Sequence, residues 1–336
     1  MDSICDINNQ VLRSKAGKEY PALPLIVILG PTASGKTKLA VRLARVLHGE
    51  IISADSRQVF KGMDLGTGKD LDQYKEVPYH LIDIVSPGEI YNLHQFSQDF
   101  YSSFKQIVDN GAQPILCGGT GLYIEHILNP RPYSAIPTST DFKQNLERKS
   151  REELLVELKQ VALPIDFCVA TSTKKRLARA IEIGLFLKNN PDFTIKRPKQ
   201  IPFIVLGINP ELSVRRERIA NRLEDRLNQG LIDEMNSLLA QGVSHKVLQG
   251  YGLEYKFCSK YILGELNFVE LRTQLTVAIQ QFAKRQMTFF RGMERKGISI
   301  NWLPRGEISQ QEIAALKIIN SYGKYVIQFL NLLVMK

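Results

Sequence analysis

Short apolar runs that alternate with amphipathic stretches predict a layered α/β protein. Five consecutive apolar residues, Leu25–Leu29, predict a buried strand, and the helical apolar spacing of residues 38–47 predicts a helix soon after it. Residues 92–110 repeat aromatic and aliphatic side chains at spacings of three and four, which is typical of an amphipathic helix. Short connections favour a parallel sheet with helices on both faces. Further strands are predicted at 50–55, 79–85, 113–117 and 203–208.

The alternation of strands and helices stops near residue 129. Residues 129–141 are rich in Pro, Ser and Thr, which predicts a linker-like segment. Helical patterns follow at 142–160, 172–188, 212–240 and 267–290, and the second begins with a capping-type Ser or Thr. We therefore predict an α/β core interrupted by a small helical insertion domain. The predicted divisions are a leader at 1–23, a core at 24–128 and 171–305, an insertion at 129–170 and a C-terminal tail at 306–336.

The first predicted strand runs into Gly30–Thr37, whose sequence GPTASGKT matches the phosphate-binding pattern G-x-x-x-x-G-K-[ST]. We expect Gly30 and Gly35 to let the backbone curl, so that successive N–H groups face an anion. Lys36 supplies a positive charge, the Thr37 hydroxyl can contact Mg²⁺, and the following helix directs its positive end at the phosphate. Strand, loop and helix occur in the required order, so a chance glycine turn is the weaker interpretation. A phosphate or diphosphate is predicted to bind here.

The composition is that of an ordinary globular protein, with 336 residues of which 44% are hydrophobic and 23% charged. No apolar run reaches the roughly 18–20 residues that span a bilayer. The N-terminus has neither the basic start nor the apolar core of a signal peptide. The four cysteines are isolated from one another, which favours reduced thiols over disulfides or zinc ligands. These features favour a reducing, cytoplasmic environment and no membrane association.

The formal net charge of +10 indicates a polyanionic partner, with nucleic acid the first candidate and a merely basic surface the alternative. Residues 171–222 concentrate the excess, with 12 Lys or Arg against 4 Asp or Glu. The helical stretch 283–291 adds three cations and two aromatic residues. That mixture suits phosphate contact with base stacking, and equally a solvated helix face backed by core aromatics.

Two polar features follow predicted strands. Asp55 ends one strand, where its carboxylate can hold Mg²⁺ or accept a proton, although a helix cap or a surface acid is the alternative interpretation. Residues 118–121, with the sequence GGTG, place the Thr120 hydroxyl and several N–H groups at the same edge of the sheet. From these residues alone, an NTPase, a kinase and another phosphate-using transferase all stay open.

Taken together, these stretches resemble the tRNA dimethylallyltransferases of the bacterial type. The resemblance implies a P-loop nucleoside-triphosphate-hydrolase-like fold. It also implies transfer of a dimethylallyl group from dimethylallyl diphosphate to N6 of adenine 37, beside the tRNA anticodon, with release of pyrophosphate. The motifs that carry the resemblance occur in family order: GPTASGKT at 30–37, DSRQVF at 55–60, GMDLGTGK at 62–69, YHLIDIV at 79–85, GGTGLYI at 118–124, KRLARAIEI at 175–183 and AKRQMTFFR at 283–291.

Roles for individual residues come with the resemblance. Asp55 would accept the N6 proton, Thr120 would lie beside the reacting centre, and Mg²⁺ would bind near Thr37. The implied diphosphate-binding residues are Gly30, Thr32, Ala33, Ser34, Gly35, Lys36 and Thr37. The implied tRNA-binding residues are Asp55, Ser56, Arg57 and Gln58, which would receive the flipped base, Lys175, Arg176 and Arg179 on a basic helix, and Lys284, Arg285 and Gln286.

The chain departs from the family pattern in four places, one of which is the insertion at roughly 129–170, which matches poorly and is somewhat short. Ser172–Thr173 replaces the usual Asn-Asp, Gln249–Tyr255 carries extra spacing, and Phe289 stands where Trp is usual. The main alternative is an isopentenyltransferase that acts on free AMP, ADP or ATP, against which the insertion and the basic segment argue. A non-catalytic RNA-binding module and a small-molecule kinase are the others, and a monomer is the default expectation.

Overall fold

The computed structural model describes residues 24–334 apart from residue 131, residues 140, 141, 143, 144 and 147, residues 165, 166 and 168–172, and residues 195–199. The predicted leader at 1–23 lies outside the described residues. The described residues form two compact units, one within Met1–Leu128 and Gln200–Lys336 and the other within Asn129–Lys199.

Six parallel strands, among the described residues, form one sheet in the first unit, which confirms the predicted fold class. The strand order is β3-β2-β4-β1-β5-β6, so the strand before the phosphate loop lies in the interior of the sheet. The strands at 25–29, 113–118 and 203–207 are mostly apolar because both of their faces are covered, whereas the two edge strands are only two residues long and partly exposed. The strands are β1 (Leu25–Leu29), β2 (Gly49–Ser53), β3 (Tyr79–His80), β4 (Gln113–Gly118), β5 (Phe203–Gly207) and β6 (Asn301–Trp302).

Most helices agree with the periodic stretches of the sequence, but those at 121–128, 245–251 and 253–262 were not predicted. Several begin at capping residues. Asn92 and Asn267 each accept hydrogen bonds from N–H groups of the first turn and form capping boxes. Gly230, with φ of 98°, divides the predicted helical stretch 212–240 in two. In chain order the helices are α1 (Lys36–Leu47), α2 (Leu93–Asp109), α3 (Gly121–Leu128), α4 (Arg151–Lys159), α5 (Lys174–Asn189), α6 (Leu212–Asn228), α7 (Leu231–Ala240), α8 (His245–Tyr251), α9 (Leu253–Ile262), α10 (Phe268–Arg295) and α11 (Ile308–Val334).

Alternate residues of β1 enter different hydrophobic cores. Leu25, Val27 and Leu29 pack in a cluster with side chains of α2, α3 and α10. Ile26 and Ile28 pack in a second cluster with side chains of α1 and α11. A third cluster is formed by side chains of the five helices α6, α7, α8, α9 and α10 together with the segment that follows β2. The sheet therefore holds the phosphate loop between two helical layers, as the period of two along a strand requires.

The predicted strand at 79–85 is wrong in its length, because β3 ends at His80. Leu81 and Asp83 adopt positive φ values of 62° and 56°, which turn the chain out of the sheet. Val85 returns only as an isolated bridge to Phe60. Leu81, Ile82 and Val85 are buried in loop packing whereas Tyr79 and Ile84 are about 40% exposed, so the hydrophobic pattern alone did not distinguish this stretch from a strand.

The second unit extends beyond the predicted insertion boundary at residue 170. Its residues reach Lys199 and include α5. The N-cap of this helix is Thr173, whose side chain accepts a hydrogen bond from the N–H of Arg176. Leu177 of α5 shares a core with Leu154 of α4. The apolar face of α5 thus assigns this helix to the insertion, although the sequence pattern placed it in the core.

The helices of the described residues include none that is both long enough and apolar enough to cross a membrane. Helix α11, which the sequence analysis placed in the C-terminal tail, is one of these helices. Its N-terminal half packs on the sheet through Ala315 and Ile319.

Candidate functional site

The carboxyl ends of the central strands open into a cleft of about 1500 Å³. Three loops line it: residues 32–37 after β1, residues 55–58 after β2 and residues 119–122 after β4. Helices α6, α8, α9 and α10 supply much of the remaining wall. Ligands of parallel α/β sheets bind beyond these strand ends. The fold therefore brings most of the core residues with predicted chemical roles to one place.

The phosphate loop, residues 30–37, curls mainly at its second glycine. Gly35 has φ of 90° and is the N-cap of α1, and Ala33 also adopts a positive φ of 59°. Gly30 serves a different purpose from the predicted one. A Cβ at Gly30 would lie 2.7 Å from the Ser34 Oγ and 2.8 Å from the Ile208 carbonyl oxygen, so close approach requires the glycine.

Two polar groups in the phosphate loop suit an anion. The Ser34 hydroxyl is buried and, within the part of the chain that the structure describes, has no hydrogen-bond partner. A buried hydroxyl of this kind can donate a hydrogen bond to an acceptor oxygen of a bound ligand. Burial lowers the pKa of the Lys36 ammonium group, and the charges of Asp55 and Asp70 partly offset that effect. A bound phosphate would supply the counter-charge that this lysine lacks.

Asp55 and Thr120 are brought together by backbone contacts between their loops. The Thr120 Oγ1 accepts a hydrogen bond from the Ser56 N–H at 3.0 Å, and the Thr120 N–H donates to the Ala54 carbonyl at 3.1 Å. The Asp55 carboxylate accepts from the Arg57 N–H at 3.0 Å. Both side chains line the cleft and are partly exposed. A carboxylate and a hydroxyl thus face the same space as the phosphate loop.

The segment after Asp55 is tied to the glycine-rich loop at residues 62–69. Gln58 lines the cleft, but its amide is hydrogen-bonded to the Ser53 hydroxyl and to the Gly68 carbonyl. Lys69 is buried and pairs with Asp64 at 2.5 Å and with Asp83. The buried Lys69 ammonium group thus fixes the loop, a role that the sequence analysis did not assign to it.

Glu234 of α7 holds the same loop from the other side. Its carboxylate accepts hydrogen bonds from the N–H groups of Asp64, Leu65 and Gly66 at 2.8, 2.7 and 3.0 Å. It also accepts the Tyr255 hydroxyl at 2.6 Å. One carboxylate therefore satisfies three consecutive N–H groups in a turn, an arrangement that usually binds an anion.

Charged residues that the sequence analysis did not single out line the wall opposite the phosphate loop. Arg222 of α6 donates to the Gly68 carbonyl at 3.2 Å and pairs with Asp70, and Arg226 approaches Glu254 at 3.8 Å. Burial raises the pKa of the Glu254 carboxyl, and the nearby Arg226 opposes this shift. Arg222 falls at the end of the predicted basic segment, and that excess of charge was the one available signal.

Successive turns of helix α10 line the cleft. Gln286 is buried and contacts both the phosphate loop and the loop after β4, whereas Arg285 and Phe289 line the cleft more openly. A Cβ at Gly121 would lie 2.3 Å from the Phe289 ring, so the two fit closely. Lys284 is exposed and is not among the residues that line the cleft, and its role in tRNA binding stays a prediction.

The predicted RNA-binding residues of the second unit differ in their surroundings. Lys175 and Arg176 are exposed on α5. Arg179 instead directs its guanidinium inward, where it pairs with Glu182 at 2.5 Å and donates to the Ile136 carbonyl at 2.6 Å. Arg179 therefore organises its own unit, and its donors are largely used within it.

No group of three or more His, Cys, Asp or Glu side chains is arranged to hold a metal ion in the part of the chain that is described. The buried Cys117 thiol lies next to this site, and burial raises its pKa to about 12. Cys117 is therefore a protonated packing residue at neutral pH.

Two family models match the chain. One, described as IPP transferase, matches residues 58–293, and the other, described as isopentenyl transferase, matches residues 23–77. The first covers the second unit and the part of the site that follows Arg57, but neither the phosphate loop nor Asp55. The second covers the phosphate loop and the segment that contains Asp55.

Several proteins similar to the chain carry the name tRNA dimethylallyltransferase. The tRNA dimethylallyltransferase 1 of Parabacteroides distasonis is 45% identical over 303 residues, which cover 88% of this chain and 98% of that protein. The tRNA dimethylallyltransferase 1 of Geotalea uraniireducens is 47% identical over 279 residues, which cover 83% and 92% respectively.

Two solved structures share the fold. The full-length tRNA isopentenylpyrophosphate transferase of Bacillus halodurans has a TM-score of 0.67 and 29% identity, and the match covers 92% of this chain and 99% of that one. A eukaryotic dimethylallyltransferase, studied acting on tRNA, has a TM-score of 0.71 at 22% identity, with coverage of 91% and 80%. The second likeness shows the fold alone.

Proposed function

Because the chain belongs to the tRNA dimethylallyltransferase family, we propose that it transfers a dimethylallyl group from dimethylallyl diphosphate to N6 of an adenine beside the tRNA anticodon. The observation that carries this proposal is the shared cleft. The phosphate loop forms one wall, and Asp55 and Thr120 lie at the neighbouring strand ends. A diphosphate donor and an amine acceptor can therefore meet between them.

In the proposed reaction, N6 of the adenine attacks C1 of the dimethylallyl group, and the bond from C1 to the diphosphate oxygen breaks. The proton of N6 passes to the Asp55 carboxylate. Negative charge grows on the leaving pyrophosphate, where Lys36 and the N–H groups at the start of α1 stabilise it. These groups stabilise the transition state more than the ground state, because the charge on the bridging oxygen rises as the bond breaks.

The phosphate loop also fits Mg²⁺, which we propose as the cofactor. Thr37 is in the first turn of α1, and the partnerless Ser34 hydroxyl marks a place prepared for a ligand oxygen. Mg²⁺ is commonly held by one or two protein groups together with substrate phosphates, so the lack of a carboxylate cluster in the described residues suits it. The ion would neutralise charge on the diphosphate.

The basic α5 supports tRNA as the acceptor over a free nucleotide. Lys175 and Arg176 lie exposed there, and a free nucleotide needs no extended positive surface. We propose that residues 55–58, which line the cleft, receive the target base once it has left its stack. We extend the proposal to the anticodon loop as the docking site, and to a monomer acting in the cytoplasm.

The test is transfer of radiolabelled dimethylallyl groups, with Mg²⁺, to unmodified tRNA and in parallel to free AMP and ATP. A matched tRNA with guanine in place of the adenine beside the anticodon is the control. Label in the unmodified tRNA alone is the expected result. Label in the free nucleotide, or equal label in the control tRNA, would refute the proposed acceptor.

A further inference from the structure

Gln286 of α10 bridges two loops that approach the cleft from different strands. Its Oε1 accepts a hydrogen bond from the Thr32 N–H at 2.8 Å, and its Nε2 donates to the Gly119 carbonyl at 3.0 Å. The side chain is 8% exposed. Thr32 belongs to the phosphate loop, and Gly119 belongs to the loop after β4. A single amide therefore connects both loops within the core of the site.

The orientation of this amide follows from its partners. An N–H group can only donate and a carbonyl oxygen can only accept, so the oxygen of Gln286 has to face Thr32 and the nitrogen has to face Gly119. A Cβ on Gly119 would lie 2.5 Å from the Nε2 atom, so the amide rests directly on the loop backbone. The contact also uses the Thr32 N–H, which is consequently not directed at a bound diphosphate.

The loop that Gln286 holds continues to the acceptor side of the site. Thr120 follows Gly119, and the Thr120 Oγ1 accepts the Ser56 N–H, next to Asp55. A continuous set of hydrogen bonds and backbone links thus runs from the phosphate loop through Gln286 to the segment that carries the carboxylate. A shift of the amide would alter the separation between the two sides of the reaction.

We propose that Gln286 is a positioning residue, which fixes the phosphate loop relative to the loop carrying Thr120 so that diphosphate donor and adenine acceptor meet in line. This inference rests on the proposed function. It replaces the role in tRNA binding that the sequence suggested for Gln286, since both ends of its amide are engaged with backbone groups. Misplacement of reacting groups by about 1 Å can cost roughly 10²-fold in rate, so two hydrogen bonds at this point are sufficient to matter.

Gln286→Glu provides a sharp test because it changes the chemistry of one end of the bridge. A carboxylate can still accept the Thr32 N–H, but its other oxygen meets the Gly119 carbonyl, and two acceptors repel. Only the protonated acid can donate to that carbonyl as the amide does. The protonated fraction falls as pH rises through the pKa of the introduced carboxyl, so the ratio of the variant's kcat to the wild-type kcat should rise as pH is lowered.

Two further variants separate positioning from other effects. Gln286→Met has a similar length but cannot make either hydrogen bond, so its kcat should fall about 10- to 100-fold without the added pH dependence. Gln281→Glu places the same charge change on an exposed position of α10 and should match the wild type at every pH. The KM for dimethylallyl diphosphate and the Kd for tRNA are measured for all variants, and thermal unfolding at each pH checks the fold.

The inference is supported if Gln286→Met loses kcat with tRNA affinity retained, and if the Gln286→Glu ratio rises at lower pH. It is overturned if that ratio is flat, if kcat of Gln286→Met stays within about twofold of wild type, or if the losses appear only in tRNA Kd or in thermal stability. Failure of the proposed function looks different. The wild type would then transfer no label to tRNA, which would refute the inference as well.

Discussion

Glu234→Gln should loosen the glycine-rich loop at residues 62–69 without changing the shape of the side chain. The carboxylate accepts two N–H groups at its Oε2, from Asp64 and Leu65, and one N–H group and the Tyr255 hydroxyl at its Oε1. A glutamine has one oxygen only. Its NH₂ group has to face N–H donors on one side, and the less costly choice is the side with Tyr255, because a hydroxyl can rotate and accept.

The expected cost follows from these contacts. The Gly66 N–H loses its acceptor, and the remaining bonds lose the charge of the carboxylate. A hydrogen bond to a charged group contributes about 1.5–3 kcal/mol, and the partial exposure of the loop reduces this. We expect the opening free energy of the loop to fall by about 2 kcal/mol, which corresponds to a roughly 30-fold larger opening constant.

Amide hydrogen exchange measures this opening at N–H groups whose own hydrogen bonds the substitution leaves in place. The N–H groups of Gly68 and Lys69 both donate to the Asp64 carbonyl, so faster exchange there reports movement of the whole loop. Glu224→Gln is the control, because Glu224 is about half exposed and its ion pair with Arg272 is long, at 3.6 Å. Exchange at Gly68 and Lys69 that is as slow in Glu234→Gln as in the control would refute the role of the carboxylate.

Three further substitutions test single side chains. Asp55→Asn keeps an acceptor for the Arg57 N–H and should lower kcat by roughly 10²-fold or more with tRNA affinity retained; an unchanged kcat would contradict its role as proton acceptor. Lys36→Met removes an ammonium group whose pKa is lowered by burial. The unliganded variant should therefore be at least as stable as wild type at neutral pH, with the difference vanishing as pH rises toward the ordinary lysine value of 10.5, while pyrophosphate should no longer raise its Tm. Arg176→Ala should weaken tRNA binding and reduce its salt slope by about one, and an equal slope would remove Arg176 from the RNA surface.

Much of the fold was predictable because its signals are local. The run Leu25–Leu29 is apolar at every position, and a strand covered on both faces buries all five residues. The end of the insertion was not predictable in the same way. An amphipathic pattern shows that α5 has an apolar face, but it does not show which core that face enters. The same limit explains residues 79–85, whose apolar side chains pack in a loop.

The candidate site also has a part that local sequence signals predict and a part that they do not. Its loops were found because each motif is contiguous, as in the phosphate loop and the GGTG stretch. The groups that hold those loops in place come from distant parts of the chain: Gln286 is 254 residues from Thr32, and Glu234 is 170 residues from Asp64. A glutamine or glutamate on a helix has no local pattern that distinguishes a buried bridge from a solvated side chain. Gln286 was named only as part of a family motif, and its bridging role and the role of Glu234 became visible once the structure showed the loops together.

The contact between Gly121 and Phe289 makes two distant positions share one volume. A methyl group at 121 would overlap the ring, which lies 2.3 Å from where the Cβ would be, so a larger residue there requires a smaller one at 289. Loss of the ring alone would leave a gap beside α3, and its cost is below that of a fully buried aromatic ring because Phe289 is partly exposed in the cleft. We therefore expect a larger residue at position 121 to be tolerated only together with a smaller one at position 289.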